Sequence, residues 1–313
     1  MTQQGNAPTL TEPVYAHAAF AAATPASATL RGYDVKRGSA AAAAGASRSR
    51  AYDLKLQAKE QLKNVVAFCF RRSALFRKLA VFANAQVEND RVINLVRHFN
   101  VDRIIDVGAN HGQFAGDMRR AGFSGTIYSF EPTAECQAYL RGASAGDPDW
   151  HIFGVGLGNE AGAKDIHIAN NDGLSSSLLD EVDLDYGQDV RFVATETVTI
   201  LKLDDVYGEL DLGAKCLFKL DTQGFESFVL EGAEQFLARH KPIVFLESSL
   251  FPNYRGERLL DHIHAQMSAM DYRLVLVRKQ LGNMHVDLQA DFAFLHNDDF
   301  EVMLAELRAG GDL

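Results

Sequence analysis

The stretch Arg103-Ile-Ile-Asp-Val-Gly-Ala-Asn-His-Gly112 decides the fold of this 313-residue chain. It begins with a short apolar run rich in β-branched residues, which is typical of a buried strand. A glycine-containing turn, Gly108 to Gly112, follows, and a helical pattern runs from Phe114 to Arg120. A strand, a glycine turn and a helix in this order form the first βα unit of a nucleotide-binding sheet, so we predict an α/β fold.

The turn and the residue before it indicate which ligand would bind. Glycine lets backbone N–H groups approach a ligand closely, and the helix N-terminus adds partial positive charge. Asp106 stands at the end of the strand, where a carboxylate would repel a pyrophosphate but would suit a positively charged ligand. We therefore predict S-adenosylmethionine (SAM), which carries a sulfonium and an α-amino group, rather than NAD or ATP.

Composition gives an ordinary globular balance, with 47% hydrophobic and 23% charged residues. No apolar run approaches the ~18 residues that would span a bilayer, and we expect no secretory signal. The three cysteines, Cys69, Cys136 and Cys216, are far apart and form no metal-ligand spacing. Each has apolar neighbours, so we expect buried free thiols, no metal site and a reducing, cytoplasmic location.

Charge is distributed unevenly along the chain. Residues 1–83 carry 12 Lys or Arg against 4 Asp or Glu, whereas the remaining residues carry 19 against 37, giving the total of −10. Phosphate binding depends on Lys and Arg, so an acidic main domain argues against a nucleic-acid partner.

The chain divides into three parts. Residues 1–50 are rich in Ala and Ser without apolar periodicity, which favours a disordered tail over a transit peptide. Residues 51–100 form a helical region that contains a basic amphipathic helix over 53–83 and a second helix from Val87 to Phe99. We favour packing of helix 53–83 against the catalytic domain or a second subunit over contact with a membrane surface. Residues 101–313 form the main domain.

Strands alternate with helices through the main domain, which predicts a Rossmann-like, mostly parallel sheet with helices on both faces. After the opening unit, the predicted strands are Gly125–Pro132, Asp149–Val155, Lys215–Asp221, Pro242–Glu247, Tyr272–Arg278 and Asp291–His296. The predicted helices are Ala134–Arg141, Phe225–Ala238 and Arg258–Met270. Alternation at Ile166–Ile168 and Val190–Leu203 indicates an inserted hairpin or edge strands. The connection 279–289 is too short for a helical crossover, so the last two strands should be antiparallel.

Two further signals point to an adenosine ligand. Glu131 ends the second strand about 19 residues after Gly112, where an acid would hydrogen-bond ribose hydroxyls. Gly156, within Gly154-Val-Gly-Leu-Gly158, would let adenine approach closely, although a glycine turn alone would give the same pattern.

A second dense cluster is Phe218-Lys-Leu-Asp-Thr-Gln-Gly-Phe-Glu226. Lys219 and Asp221 lie on the same side of a strand, and Glu226 begins the next helix, where acids are also favoured electrostatically. Four carboxylates should occupy strand ends at one edge of the sheet, and such a site requires a cation or shared protons. They are Asp106, Glu131, Asp221 and Glu247.

The motifs together resemble the FkbM family of SAM-dependent methyltransferases over roughly residues 90 to 296. The matching segments are Ile105-Asp-Val-Gly-Ala-Asn-His-Gly112, Phe130-Glu-Pro132, Leu203-Asp-Asp205, Lys219-Leu-Asp-Thr-Gln-Gly-Phe-Glu226, Val229-Leu-Glu-Gly-Ala233 and Glu247. The resemblance implies a class I methyltransferase fold, with a seven-stranded sheet and an antiparallel last strand. It also implies O-methylation of a hydroxyl, often on a sugar, lipid or polyketide-derived natural product.

Position by position, the resemblance assigns SAM contacts to two segments. Asp106, Gly108, Asn110 and Gly112 would surround the methionine part, and the segment Glu131-Pro132 would bind the ribose. The chain departs from the family where many members have Val-Glu-Gly. Here the segment is Thr222-Gln-Gly224, so Gln223 is not a safe candidate for a base.

Methyl transfer to oxygen requires alignment of the acceptor and removal of its proton. We predict that Asp221 or Glu247 accepts the proton, while Lys219 orients a carboxylate or forms a structural ion pair. Ser175 and Ser176, in a polar loop, would help to frame the acceptor pocket, and Glu226 is a further candidate there. Two alternatives stay open, namely an NAD-dependent oxidoreductase and a catalytically silent binding protein with the same fold.

Overall fold

A seven-stranded sheet forms the centre of the computed structural model, which describes residues 85–180, 190–282 and 287–310. The predicted tail at 1–50 and the predicted helix at 53–83 lie outside the described residues. The strands are β1 Arg103–Val107, β2 Thr126–Phe130, β3 Trp150–Phe153, β4 Gly156–Leu157, β5 Gly162–Ala169, β6 Phe192–Leu201, β7 Cys216–Leu220, β8 Ile243–Ser249, β9 Tyr272–Gly282 and β10 Asp287–His296.

The strand order of the large sheet is β3-β2-β1-β7-β8-β10-β9, and β10 is antiparallel to both neighbours while the other pairs are parallel. The predicted fold class and antiparallel end are therefore confirmed. The predicted hairpin is also confirmed, because β5 and β6 pair antiparallel. Together with β4 they form a separate three-stranded sheet.

Helices cover both faces of the large sheet. They are α1 Ala85–His98, α2 Gln113–Arg120, α3 Ala134–Ala143, α4 Leu203–Val206, α5 Glu226–Glu231, α6 Glu234–His240, α7 Leu260–Ala269 and α8 Asn297–Gly310. Neighbouring strand residues point to opposite faces, so Ile104 belongs to one core and Ile105 to the other. The first core includes residues of α1 and α2, and the second includes residues of α5, α6 and α7.

The predicted helix Phe225–Ala238 is wrong, because the structure has two shorter helices, α5 and α6, in its place. The break falls at Gly232, where a Cβ atom would lie 1.9 Å from the carbonyl oxygen of Gly158. The carboxylate of Asp204 then accepts hydrogen bonds from the backbone N–H groups of Gln235 and Phe236 at 3.0 and 2.9 Å. A close backbone contact and a side-chain cap therefore start a new helix.

The C-terminal helix α8 is absent from the prediction. Its Phe300 and Met303 pack against the core on the α1 side of the sheet. Lys241 pairs with Asp298 at 2.5 Å, and Lys215 pairs with Asp299. Two acids in the first turn, Asp298 and Asp299, followed by apolar residues three apart, are the signal that could have indicated this helix.

Both described cysteines, Cys136 and Cys216, are buried free thiols, as predicted. Burial raises the pKa of each to about 12, so neither is a reactive thiolate at neutral pH. Among the helices that the structure describes, none is long and apolar enough to cross a membrane.

Candidate active site

A cavity of about 680 Å³ opens at the carboxyl ends of β1, β2 and β7, where ligands bind in open α/β sheets. It continues across the sheet towards α1, Phe245, Arg278 and Asp291. The predicted site residues that line it are Gly108, Asn110, Glu131, Pro132, Gly156, Ser176, Lys219 and Asp221. Its volume lies in the usual range for a cofactor site.

The two turn glycines have different tasks. Gly108 lines the cavity at φ +69°, and a Cβ atom there would lie 1.8 Å from the carbonyl oxygen of Asp221. Gly112 is at φ +83°, and a Cβ atom there would lie 2.9 Å from the ring of Trp150. Gly112 does not line the cavity, so we correct its predicted contact with the cofactor to a packing role at the start of α2.

Asp106 does not reach the cavity either, because its side chain is fully buried beneath the turn. Its carboxylate lies 3.0 Å from the ammonium of Lys219. Burial raises the pKa of Asp106, and the charge of Lys219 opposes that effect. The predicted direct contact with SAM is therefore corrected to an indirect one, in which Asp106 holds a lysine that does line the cavity.

Lys219 contacts both the glycine turn after β1 and the Asp221 side chain after β7. Its ammonium donates a hydrogen bond to the carbonyl oxygen of Gly108 at 3.0 Å and lies 3.7 Å from Asp221. Burial lowers the pKa of Lys219, but Asp106 and Asp221 more than offset this, so the pKa is raised above its ordinary value. Lys219 therefore stays protonated and cannot serve as a base.

Glu131 faces the cavity while organising the loops on both sides of it. One carboxylate oxygen accepts a hydrogen bond from the backbone N–H of Asn110 at 2.9 Å. The other accepts from the backbone N–H and the hydroxyl of Thr133 at 2.9 and 2.7 Å. A carboxylate offers about four acceptor positions, so Glu131 keeps capacity for a ligand hydroxyl.

Gly156 lines the cavity on the far side of Pro132. A Cβ atom at Gly156 would lie 2.7 Å from the end of the Ile200 side chain, which would have to shift. The absence of a side chain at Gly156 leaves this wall of the cavity open to close approach, and the predicted contact with adenine stays a prediction.

The two predicted bases, Asp221 and Glu247, lie together but differ in access. The Asp221 side chain is 37% exposed and lines the cavity, whereas Glu247 is buried behind it. The prediction placed Glu247 at the end of its strand, but β8 continues for two residues through pairing with β10. Burial and the charges of Asp221 and Asp291 raise the pKa of Glu247 well above its ordinary value.

Glu226 shapes a loop instead of lining the cavity. Its carboxylate accepts hydrogen bonds from the backbone N–H groups of Thr222 and Gly224 at 2.6 and 3.0 Å, and from the Thr222 hydroxyl at 3.0 Å. Burial raises the pKa of Glu226 to about 7. The predicted contact with the acceptor is therefore replaced by support of the turn that follows β7.

The polar loop before the fourth predicted strand does reach the site, but through only one of its two predicted serines. Ser176 lines the cavity. The Ser175 hydroxyl instead accepts a hydrogen bond from the Asn171 side chain at 2.9 Å, and the Ser175 carbonyl accepts one from the Tyr254 hydroxyl at 3.2 Å.

Gln223 and Tyr254 belong to the site although neither is among the predicted catalytic or binding residues. The Gln223 amide contacts both Asp221 and Glu247, and the Tyr254 hydroxyl donates to its oxygen at 2.9 Å. The position of Gln223 between two predicted site residues was a usable signal, whereas nothing local marks Tyr254. The described residues contain no group of three or more His, Cys, Asp or Glu side chains that could hold a metal ion.

The sheet order, the glycine turn after β1 and the acidic cavity define the class I methyltransferase fold. A profile of the methyltransferase FkbM domain matches residues 106–274, and the chain therefore belongs to the FkbM methyltransferase family. The predicted family is therefore confirmed.

Several known proteins are similar to this chain. The 2-O-methyltransferase NoeI of Sinorhizobium fredii (strain NBRC 101917 / NGR234) is 29% identical over 161 residues, which cover 49% of this chain and 66% of NoeI, just under two thirds. A crystal structure of methyltransferase FkbM from Methylobacillus flagellatus KT matches with 16% identity and a TM-score of 0.41, covering 61% of this chain and 43% of that one.

A structure of magnesium protoporphyrin IX methyltransferase (ChlM) from Synechocystis PCC 6803 with bound SAM matches with 10% identity and a TM-score of 0.38, covering 72% of this chain and 84% of that one. The fold class follows from the strand order given above and not from these structural matches.

Proposed function

We propose that this protein is a SAM-dependent O-methyltransferase that acts on a hydroxyl of a small molecule or glycan. The observation that carries the proposal is the cavity at the carboxyl ends of β1, β2 and β7, where a glycine turn meets Glu131 and Asp221. The family membership and the 2-O-methyltransferase NoeI support the reaction type. We also propose a cytoplasmic location and no nucleic-acid partner, as the composition suggests.

The residues present fit SAM. Glu131 has acceptor capacity for ribose hydroxyls, and Gly156 and Leu157 form an apolar wall suited to adenine. Asp221 supplies exposed negative charge near the place where a sulfonium would lie. SAM, when bound, supplies an electrophilic methyl group that a nucleophilic oxygen can accept by in-line displacement.

Asp221 is the group that we assign as general base. It lines the cavity, whereas Glu247 does not, so only Asp221 has direct access to an acceptor hydroxyl. A positioned base typically contributes ~10²–10⁴-fold to such a step. The ammonium of Lys219 lies 3.7 Å from the Asp221 carboxylate and holds it beside the cavity.

A binding experiment separates this proposal from the oxidoreductase alternative. Isothermal titration calorimetry with SAM, S-adenosylhomocysteine and NAD should show binding of the first two only. Glu131→Gln should weaken SAM binding by roughly 10- to 150-fold, because one ligand hydrogen bond to a charged group is worth about 1.5–3 kcal/mol. Binding of NAD alone would refute the proposal.

A turnover experiment separates the enzyme from a catalytically silent binding protein. The protein would be incubated with SAM and a panel of sugars, glycolipids and hydroxylated aromatics, and S-adenosylhomocysteine would be quantified. Formation of S-adenosylhomocysteine that depends on an acceptor supports the proposal. SAM binding without any turnover across the panel would favour the silent protein.

A further inference from the structure

The side chain of Gln223 lies between the carboxylates of Asp221 and Glu247. Its amide nitrogen donates to Asp221 at 2.9 Å and to Glu247 at 2.7 Å. Its amide oxygen accepts from the Tyr254 hydroxyl at 2.9 Å. The opposite orientation of the amide would place its oxygen against two carboxylates, so two ionised carboxylates favour the orientation described.

We propose that Gln223 is a positioning residue, which holds Asp221 and Glu247 side by side so that the pair accepts the proton of the acceptor hydroxyl. The inference rests on the proposed methyl transfer. In that step the acceptor oxygen forms a bond to the methyl carbon, and the carbon–sulfur bond breaks with its electron pair going to sulfur. The O–H bond also breaks, and its proton goes to the Asp221–Glu247 pair.

Several negative charges surround Glu247, and the Gln223 amide donates hydrogen bonds there without adding a charge. Asp221 lies after β7, Asp291 on β10 and Glu226 on α5, and all three carboxylates disfavour the ionised form of Glu247. The Tyr254 hydroxyl lies nearby, and Glu257 also faces this tyrosine.

Lys219 and Arg278 form ion pairs with carboxylates other than Glu247. Lys219 pairs with Asp106 and Asp221, and Arg278 pairs with Asp291. Among the described residues, no ion pair reaches Glu247, and its side-chain hydrogen-bond partners are the Gln223 amide and the neighbouring carboxyl group of Asp221. The two amide hydrogens let Gln223 bond to both acids without adding charge.

The backbone fixes Gln223 in place for this task. Its φ is +54°, in the left-handed region that a non-glycine residue rarely adopts, and Gly224 follows at φ +93°. The Ser177 hydroxyl donates to the Gln223 carbonyl at 2.7 Å. Glu226 holds the N–H groups on either side of it. Strain that the surrounding contacts maintain at one residue is typical of functional sites.

The test compares Gln223→Met with Gln266→Met, a matched control in which a half-buried glutamine that bonds to Ser227 is replaced in the same way. Side-chain carboxyl groups labelled with ¹³C are titrated by NMR in the wild type and in both variants. We expect Gln223→Met to move the Glu247 midpoint to higher pH by about one pH unit, and Gln266→Met to leave it unchanged. An unchanged midpoint in Gln223→Met overturns the proposal.

A second variant covers the case in which Gln223→Met does not fold. Gln223→Glu keeps the shape of the side chain but brings a third carboxyl group to the pair, so the midpoint of Glu247 should rise further. Tyr254→Phe leaves the amide donors in place and should leave the midpoint of Glu247 near its wild-type value. A midpoint that falls in Gln223→Glu, or that shifts equally in Tyr254→Phe, contradicts the assigned role.

Turnover then distinguishes the two proposals. If the wild type releases S-adenosylhomocysteine with an acceptor, Gln223→Met should lower kcat about 10-fold near neutral pH and recover at higher pH, with binding of S-adenosylhomocysteine unchanged. A loss that is equal at every pH would refute positioning. If the wild type has no turnover, the proposed function fails, and the NMR titration still tests the role of Gln223 in holding the carboxyl pair.

Discussion

Two regions at the same edge of the sheet hold carboxylates in different ways. In the loops after β1 and β2, the carboxylate of Glu131 accepts from backbone N–H groups on both sides. After β7 and within β8, Asp221 and Glu247 meet a side-chain amide, and Lys219 lies beside Asp221. The first arrangement fixes the path of the chain, whereas the second leaves one carboxylate, that of Asp221, open to the cavity.

The partners of a buried acid thus indicate its task better than its position at a strand end. Glu226 resembles Glu131, because its carboxylate also accepts from two backbone N–H groups and a threonine hydroxyl, but unlike Glu131 it does not line the cavity. Asp221 differs from both, since it is partly exposed and faces the cavity.

The largest effect is expected from replacing Asp221, the acid that is partly exposed to the cavity. Asp221→Asn removes the proposed base and should lower turnover ~10²–10⁴-fold, while binding of S-adenosylhomocysteine should change little. Single-turnover assays and calorimetry measure the two effects. Glu247→Gln should cause a smaller loss, because this residue acts through Asp221. If both variants keep near-normal turnover with bound SAM, neither acid is the base.

A second test concerns the cation that links the two regions. Lys219→Met leaves the fully buried Asp106 without its ion-pair partner, which typically costs about 3–5 kcal/mol of the free energy of unfolding. Denaturant unfolding measures this change. The double variant Lys219→Met with Asp106→Leu should recover much of the loss, and an additive loss in the double variant would contradict the pairing.

A third test uses pH. Burial raises the pKa of Glu226 to about 7, so the folded state binds a proton more tightly than the unfolded state, whose carboxyl has the ordinary pKa of about 4.3. The contribution of Glu226 to stability is therefore fully present below pH ~4.3 and is lost as the pH rises to about 7.

Glu226→Gln should remove this loss, which is about 3–4 kcal/mol across that range. Thermal or denaturant unfolding at several pH values measures the slope. Parallel curves for the wild type and the variant would show that Glu226 does not titrate in this range.

The smallest expected effect distinguishes two neighbouring serines. Ser176→Ala should raise the KM for the acceptor a few-fold, since loss of one neutral hydrogen bond is worth about 0.5–1.5 kcal/mol. Ser175→Ala should leave KM unchanged, because its hydroxyl bonds to Asn171 outside the cavity. Equal effects of the two variants on KM would show that the loop lies differently when an acceptor is bound.

Local pattern was sufficient for much of the fold. Each strand of the large sheet falls within a few residues of its predicted place, because short apolar runs between glycine turns mark buried parallel strands. The break at Gly232 was not predictable, since it depends on the backbone of Gly158, which lies 74 positions earlier in the chain.

The candidate site was predicted in outline and corrected in detail. Strand ends collect ligand-binding residues, so Glu131, Lys219 and Asp221 were placed correctly at the cavity. Asp106 and Gly112 were predicted to line the ligand site, but neither lines the cavity. Sequence spacing shows neither the burial of a residue nor the direction of its side chain.

The sequence alone determined the order of elements, the family and the edge of the sheet at which the acids gather. These follow from periodicity and motif spacing, which are local properties of the chain. Only the tertiary structure decided which acid is exposed and which partner each acid has. Those properties depend on pairing between β8 and β10 and on the αL conformation of Gln223, which bring together residues that are distant in the chain.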